Sequence, residues 1–127
     1  MSSALDNPYA RNIDFGCLKG LIGNILPSDL DMIVERNKNF LAGEWKYSDL
    51  QGTGVYETTS IGQRIMLQNL ALTPNFTVLR VFYKRDADDK LVIGVIERVK
   101  HGKFIRIGRG QEHFKRYYTH WWRIANG

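Results

Sequence analysis

The chain has 127 residues, 43% of them hydrophobic and 24% charged, with a formal net charge of +5; this is enough for one domain with a real core, expected to span 1–127. Cys17 is the only cysteine, which excludes an internal disulfide and a zinc site built from clustered cysteines. No window has the unbroken apolar length of a transmembrane helix and no basic, apolar leader opens the chain, so the expectation is a cytoplasmic protein with no membrane partner.

Residues 1–8 read as a loose start. Ile13, Cys17, Leu18, Leu21, Ile22 and Ile25 recur at roughly helical spacing, interrupted by Gly16, Gly20 and Gly23, and Pro27 ends the run. Strands are expected at about 30–36 and 39–46, with Asn37-Lys38-Asn39 as the turn. A loop over 47–57 follows, containing Gly52 and Gly54. Over 58–72 the apolar positions Ile61, Ile65, Met66, Leu70 and Leu72 fit an amphipathic helix, with Thr59 or Ser60 as its cap. Strands are expected at 76–83 and 91–99. The acidic turn between them, with Asp86, Asp88 and Asp89, lacks the Gly and Glu of a calcium-binding loop and reads as a hairpin tip. His101-Gly102 turns the chain into a short strand over 103–107, and Gly108-Arg109-Gly110 is a turn before a final helix over 111–124. Phe114, Tyr117, Tyr118, Trp121 and part of Trp122 give that helix a core face, with His113 and His120 as surface or capping residues.

The chemistry-bearing residues cluster early. Acidic residues Asp29 and Asp31 open the first strand, and Glu44-Trp45-Lys46 closes the second. Side chains alternate along a strand, so Glu44 and Lys46 share one face while Trp45 enters the opposite layer. If the strands are neighbours, Asp31 and Glu44 converge on one cation. Hard oxygen ligands suit Mg²⁺, and phosphodiester hydrolysis needs an activated water and stabilised phosphoryl oxygens. A lysine ammonium beside the metal would orient the water or neutralise developing charge.

Charge is unevenly distributed. Residues 1–79 hold 6 Lys/Arg against 8 Asp/Glu, whereas residues 80–127 hold 12 against 5. Such a field favours a polyanion, with affinity that falls as salt rises. Arg64, Arg109, Lys115 and Arg116 are the candidate DNA contacts. Gln63 and Arg64 fall on the first turn of the helix after the Glu-x-Lys strand, where the helix N-terminus favours an anion.

Pro27-Ser28-Asp29-Leu30-Asp31, the apolar run to Val34 and Glu44-Trp45-Lys46 resemble the PD-(D/E)xK nuclease superfamily, which includes restriction endonucleases, Holliday-junction resolvases and small phage nucleases. Gly62-Gln63-Arg64 adds to the likeness, since many members place a Gln or a basic residue on that helix. The Pro-Ser-Asp-Leu-Asp spelling leaves Asp29 or Asp31 as the principal ligand, with Asp31 nearer the strand interior. The resemblance implies an α/β restriction-endonuclease-like fold, an αβββαβ core with a mixed central sheet flanked by helices. It also implies Mg²⁺-dependent endonuclease activity on DNA, including branched or flapped forms, with Mn²⁺ as a substitute ion. Asp31, Glu44 and Asp29 would hold the metal, Lys46 would activate water and Gln63 would border the site. A homodimer and a phage-infected bacterial cell are further expectations of the likeness. The alternative is a catalytically inactive nuclease-fold module that binds DNA or inhibits; RNA processing differs from the main reading chiefly in substrate.

Overall fold

The computed structural model describes residues 17, 19–21, 30–47 and 60–126. Most of the helix expected near 13–25, Asp29, and most of the loop expected over 47–57 lie outside the described residues.

Strand β1 (Met32–Arg36) and strand β2 (Asn39–Tyr47) form an antiparallel hairpin with Met32 opposite Gly43 and Arg36 opposite Asn39. The two connecting residues, Asn37 and Lys38, have φ of 50° and 67°. Positive φ at both positions is the geometry of the tight turn whose twist matches that of the strands, and Asn tolerates it. The turn also reaches the far end of the chain: Asn37 Nδ2 and Asn39 Nδ2 donate to the Ala125 carbonyl at 3.3 and 3.4 Å.

Helix α1 (Ile61–Leu72) follows, and then strand β3 (Phe76–Arg85), which runs parallel to β2 with Glu44 opposite Arg80. Parallel neighbours require a crossover, which α1 supplies. Strand β4 (Leu91–Lys100) and strand β5 (Lys103–Arg109) continue as antiparallel hairpins, and helix α2 (Gln111–Ile124) completes the described chain. The result is a mixed five-stranded sheet in the order β1-β2-β3-β4-β5. The β3–β4 tip is closed by Asp86, whose Oδ1 accepts from the backbone N–H groups of Asp88 and Lys90 at 2.9 and 3.0 Å.

The helices sit on opposite faces of the sheet. Trp121 and Ala125 join Leu41, Leu79, Val81, Ile93 and Ile96 in one buried cluster, edged by Trp45, Phe114, Tyr117 and Tyr118. Leu67 packs with Val78 and Val99 in a second, smaller one, edged by Leu30, Met66, Leu70, Phe76 and Phe104. Trp122 is 41% exposed. Arg36 lies over its ring with Cζ 4.2 Å from the centroid and donates to its carbonyl at 3.0 Å.

Three expectations change. Helix α1 begins at Ile61 rather than about residue 58, with Ser60, one of the two expected caps, as its N-cap in a reciprocal capping box with Gln63. Its inward face is Met66, Leu67, Leu70 and Ala71, whereas Ile61, Ile65 and Leu72 are exposed. Strand β5 extends to Arg109, so Gly108 and Arg109 belong to the strand rather than to a turn. A Cβ at Gly108 would collide with the His113 imidazole, and Gly110 turns the chain into α2 at φ 92°, a conformation that favours glycine.

Trp121, 5% exposed, is the largest side chain that α2 buries. Trp121→Ala is expected to lower unfolding free energy by about 3–5 kcal/mol, read as a shift in the denaturant midpoint with unchanged slope.

Candidate active site

Alternation along β2 divides its side chains between the two layers. Leu41 and Trp45 enter the α2-side core; Ala42, Glu44 and Lys46 therefore face α1. Glu44 and Lys46 are 5% and 4% exposed, with Lys46 Nζ 3.4 Å from Glu44 Oε1. Trp45 locks the strand from the other side, its ring edge-on to Phe114 at a centroid distance of 5.3 Å.

Asp31 immediately precedes β1. Since Met32 pairs with Gly43, the next position along the ladder brings Asp31 beside Glu44. Its Oδ2 accepts the Trp45 backbone N–H at 2.8 Å, which fixes the carboxylate against β2. Asp31 and Glu44 are thus adjacent acids, one exposed and one buried.

Helix α1 contributes Gln63. The capping box holds Gln63 Oε1 within reach of the Ser60 N–H at 3.4 Å, and the same oxygen accepts from Lys46 Nζ at 3.0 Å. A residue that starts the helix therefore also anchors the lysine. The Ser-x-x-Gln spacing was readable in the sequence as a capping box; the contact with Lys46 depends on the crossover that brings α1 over β2.

Burial, and then the negative charge of Asp31, push the Glu44 carboxyl up from 4.5 to about 7, against the opposing pull of Lys46. Glu44 Oε2 is buried and receives no hydrogen bond from a donor group, and a proton shared with the Asp31 carboxylate also favours the neutral carboxyl. A buried carboxylate oxygen left without a donor is costly, and such atoms are found where strain is stored, where catalysis occurs or where water or an ion binds. Among the described residues no group of three or more His, Cys, Asp or Glu is placed to hold a metal; the donors here are two carboxylates. That set suits Mg²⁺, which is commonly bound through one or two carboxylates with water and substrate phosphate completing the shell.

The remaining candidates spread out. Arg64 is exposed on the first turn of α1, its guanidinium 5.7 Å from the Phe104 ring centroid, on the α1 side of the sheet. Arg109 ends β5 opposite Val95. Lys115 and Arg116 are exposed on α2 and so lie across the sheet from Glu44, with Lys115 Nζ 3.5 Å from Glu112. Asp31, Glu44, Lys46 and Gln63 are brought together; Lys115 and Arg116 are not.

Two residues beside this cluster are not singled out by the sequence pattern. Arg80, opposite Glu44 on β3, donates from Nε to Glu97 Oε1 on β4 at 2.6 Å, and both are largely buried. The available signal was an arginine inside the apolar β3 run Thr77-Val78-Leu79-Arg80-Val81-Phe82.

Comparison with known proteins finds no matching family model, no matching curated protein and no matching solved structure.

A carboxyl whose folded value lies above its unfolded one binds its proton more tightly when folded. The stability Glu44 contributes is therefore full below about pH 4.5 and is lost as pH rises through about 7. A tenfold change in proton affinity is worth about 1.4 kcal/mol. In a chelator, denaturant titrations between those values should show stability declining with pH, and Glu44→Gln should flatten the decline.

Proposed function

We propose that the protein is a Mg²⁺-dependent endonuclease that hydrolyses DNA phosphodiester bonds, with branched or flapped DNA as the structures to try first. The observation that carries this reading is the donorless, buried Glu44 Oε2 beside the Asp31 carboxylate and the Lys46 ammonium. The order hairpin, helix, parallel strand (β1-β2-α1-β3) supports a restriction-endonuclease-like core and the resemblance to PD-(D/E)xK nucleases.

Asp31 and Glu44 would hold the cation, and Asp29 is proposed to assist them. The bound ion would polarise the scissile phosphate and make its water a better nucleophile. Lys46 does separate work. Of its three N–H donors, one is directed to Gln63 and a second contacts Glu44. The third would hydrogen-bond the attacking water or a phosphoryl oxygen, fixing the approach and offsetting negative charge as it develops. Gln63 keeps the ammonium in place through the helix cap. Ionised Glu44 would be a better cation ligand than protonated Glu44, so loading should improve as pH rises through about 7.

Arg64 and Arg109 are proposed to bind phosphates on the DNA, and Lys115 and Arg116 to contact a second segment or a second protomer's DNA across the sheet. A homodimer that cuts both strands, an intracellular location and a phage setting go with the same reading. Among the described residues no helix is long and apolar enough to cross a membrane.

The test is cleavage of branched, linear and single-stranded DNA and of RNA with Mg²⁺, Mn²⁺ or chelator. DNA is expected to be cut only with metal, and Asp31→Asn and Glu44→Gln should abolish cutting while both variants remain folded by circular dichroism. Lys46→Ala should lose about 10²–10⁴-fold in turnover, the range for a positioned proton-transfer or polarising group, with DNA affinity largely retained. Cutting in chelator, or wild-type turnover by Asp31→Asn, would contradict the assignment.

A further inference from the structure

Glu44 and Arg80 are register partners on the parallel pair β2 and β3, and adjacent strands lie about 4.7–4.9 Å apart. An arginine side chain spans that gap easily. A guanidinium beside a carboxylate ordinarily makes a two-pronged contact, and Glu44 Oε2 is buried with no donor. The expected pair does not form. Arg80 Nε instead donates to Glu97 Oε1 at 2.6 Å, and its guanidinium lies 4.0 Å from the Phe104 ring centroid and 5.3 Å from that of Phe82. The charged groups acting on Glu44 are Asp31 and Lys46, consistent with Arg80 being directed elsewhere.

We propose that Glu97 is a positioning residue: it holds Arg80 against Phe104, away from the Asp31–Glu44 pair, and so keeps Glu44 Oε2 open to a divalent cation. This rests on the reading of that pair as a cation site. A guanidinium turned onto Glu44 would occupy the lone pairs that a cation needs and neutralise the charge that attracts it. Glu97 prevents this by offering Arg80 a carboxylate directly opposite on β4, and Phe104 adds a ring face on which the guanidinium rests favourably. The charge order across the sheet is Glu44, Arg80, Glu97, Arg106, one residue from each of the four strands. In that row Arg80 has carboxylates on both sides and takes the one that is not needed for metal.

Glu97→Gln keeps the size of the side chain and removes its charge. A crystal structure of the metal-free variant is expected to show the Arg80 guanidinium against Glu44. Calorimetric titration with Mn²⁺ should show affinity about 10–100-fold below wild type, the range for losing residues that orient metal ligands. The double variant Arg80→Met/Glu97→Gln should recover wild-type Mn²⁺ affinity, a rescue that simple loss of structure would not give. Arg80 unmoved in the Glu97→Gln crystal, or a double variant as weak as the single one, would overturn the proposal. The two readings fail differently. Wild-type protein that takes up no Mn²⁺ overturns the cation site and with it the purpose of the restraint, whereas wild-type binding with unchanged affinity in Glu97→Gln overturns the role of Glu97 alone.

Discussion

The burial of Glu44 with Lys46, next to a second carboxylate, is the constraint on which the rest of this site depends. Desolvation disfavours the charged carboxylate, Asp31 disfavours it further, and one ammonium offsets only part of that cost. Buried ion pairs are weak contributors to stability, and apolar residues of similar volume often serve a fold at least as well. A sheet that keeps Glu44 Oε2 buried without a donor is carrying a local defect in the free protein. Such defects make sense where a ligand removes them, and places where local rules are broken are where function is expected.

The scaffold holds this unfavourable arrangement from several directions. At its turn the β1–β2 hairpin is tied to the end of α2 through Asn37, Asn39 and the Arg36–Trp122 contact. At its open end Asp31 is bonded to the Trp45 backbone, and the Trp45 ring is packed against Phe114 on the opposite face. Gln63 enters through a capping box whose geometry is set by the start of α1. Each candidate side chain thus sits on, or directly beside, a regular element fixed by packing. Sites built on strands and helices are held more closely than sites on loops.

Much of this was legible because strands have a period of two. Alternation alone placed Glu44 and Lys46 on one face and Trp45 on the other, and Asn37-Lys38-Asn39 marked the turn that brings Asp31 back to Glu44, although Asn39 itself already belongs to β2. The α/β class followed from strands separated by a helical segment. What was not legible required register or phase. The Arg80–Glu97 pair joins residues 17 positions apart, and nothing local in sequence selects that pairing. Helix α1 is apolar on several sides, so Ile61, Ile65, Met66, Leu70 and Leu72 suggested a core face of which the structure keeps Met66 and Leu70 and to which it adds Leu67 and Ala71; the cap at Ser60 and the contact from Gln63 to Lys46 decide the phase. Summing charge over 80–127 gave a basic half but not a basic face, which is why Lys115 and Arg116 fall across the sheet from Glu44. The length of β5 was missed because Gly108 resembles a turn residue, while its missing side chain makes room for His113.

The most direct measurement is anomalous diffraction from a crystal equilibrated with Mn²⁺ near pH 8, where Glu44 is largely ionised. If Asp31 and Glu44 form a cation site, a single strong peak is expected between the Asp31 carboxylate and Glu44 Oε2, with Lys46 still held by Gln63. A peak elsewhere, or Glu44 Oε2 still without a ligand at saturating Mn²⁺, would contradict it.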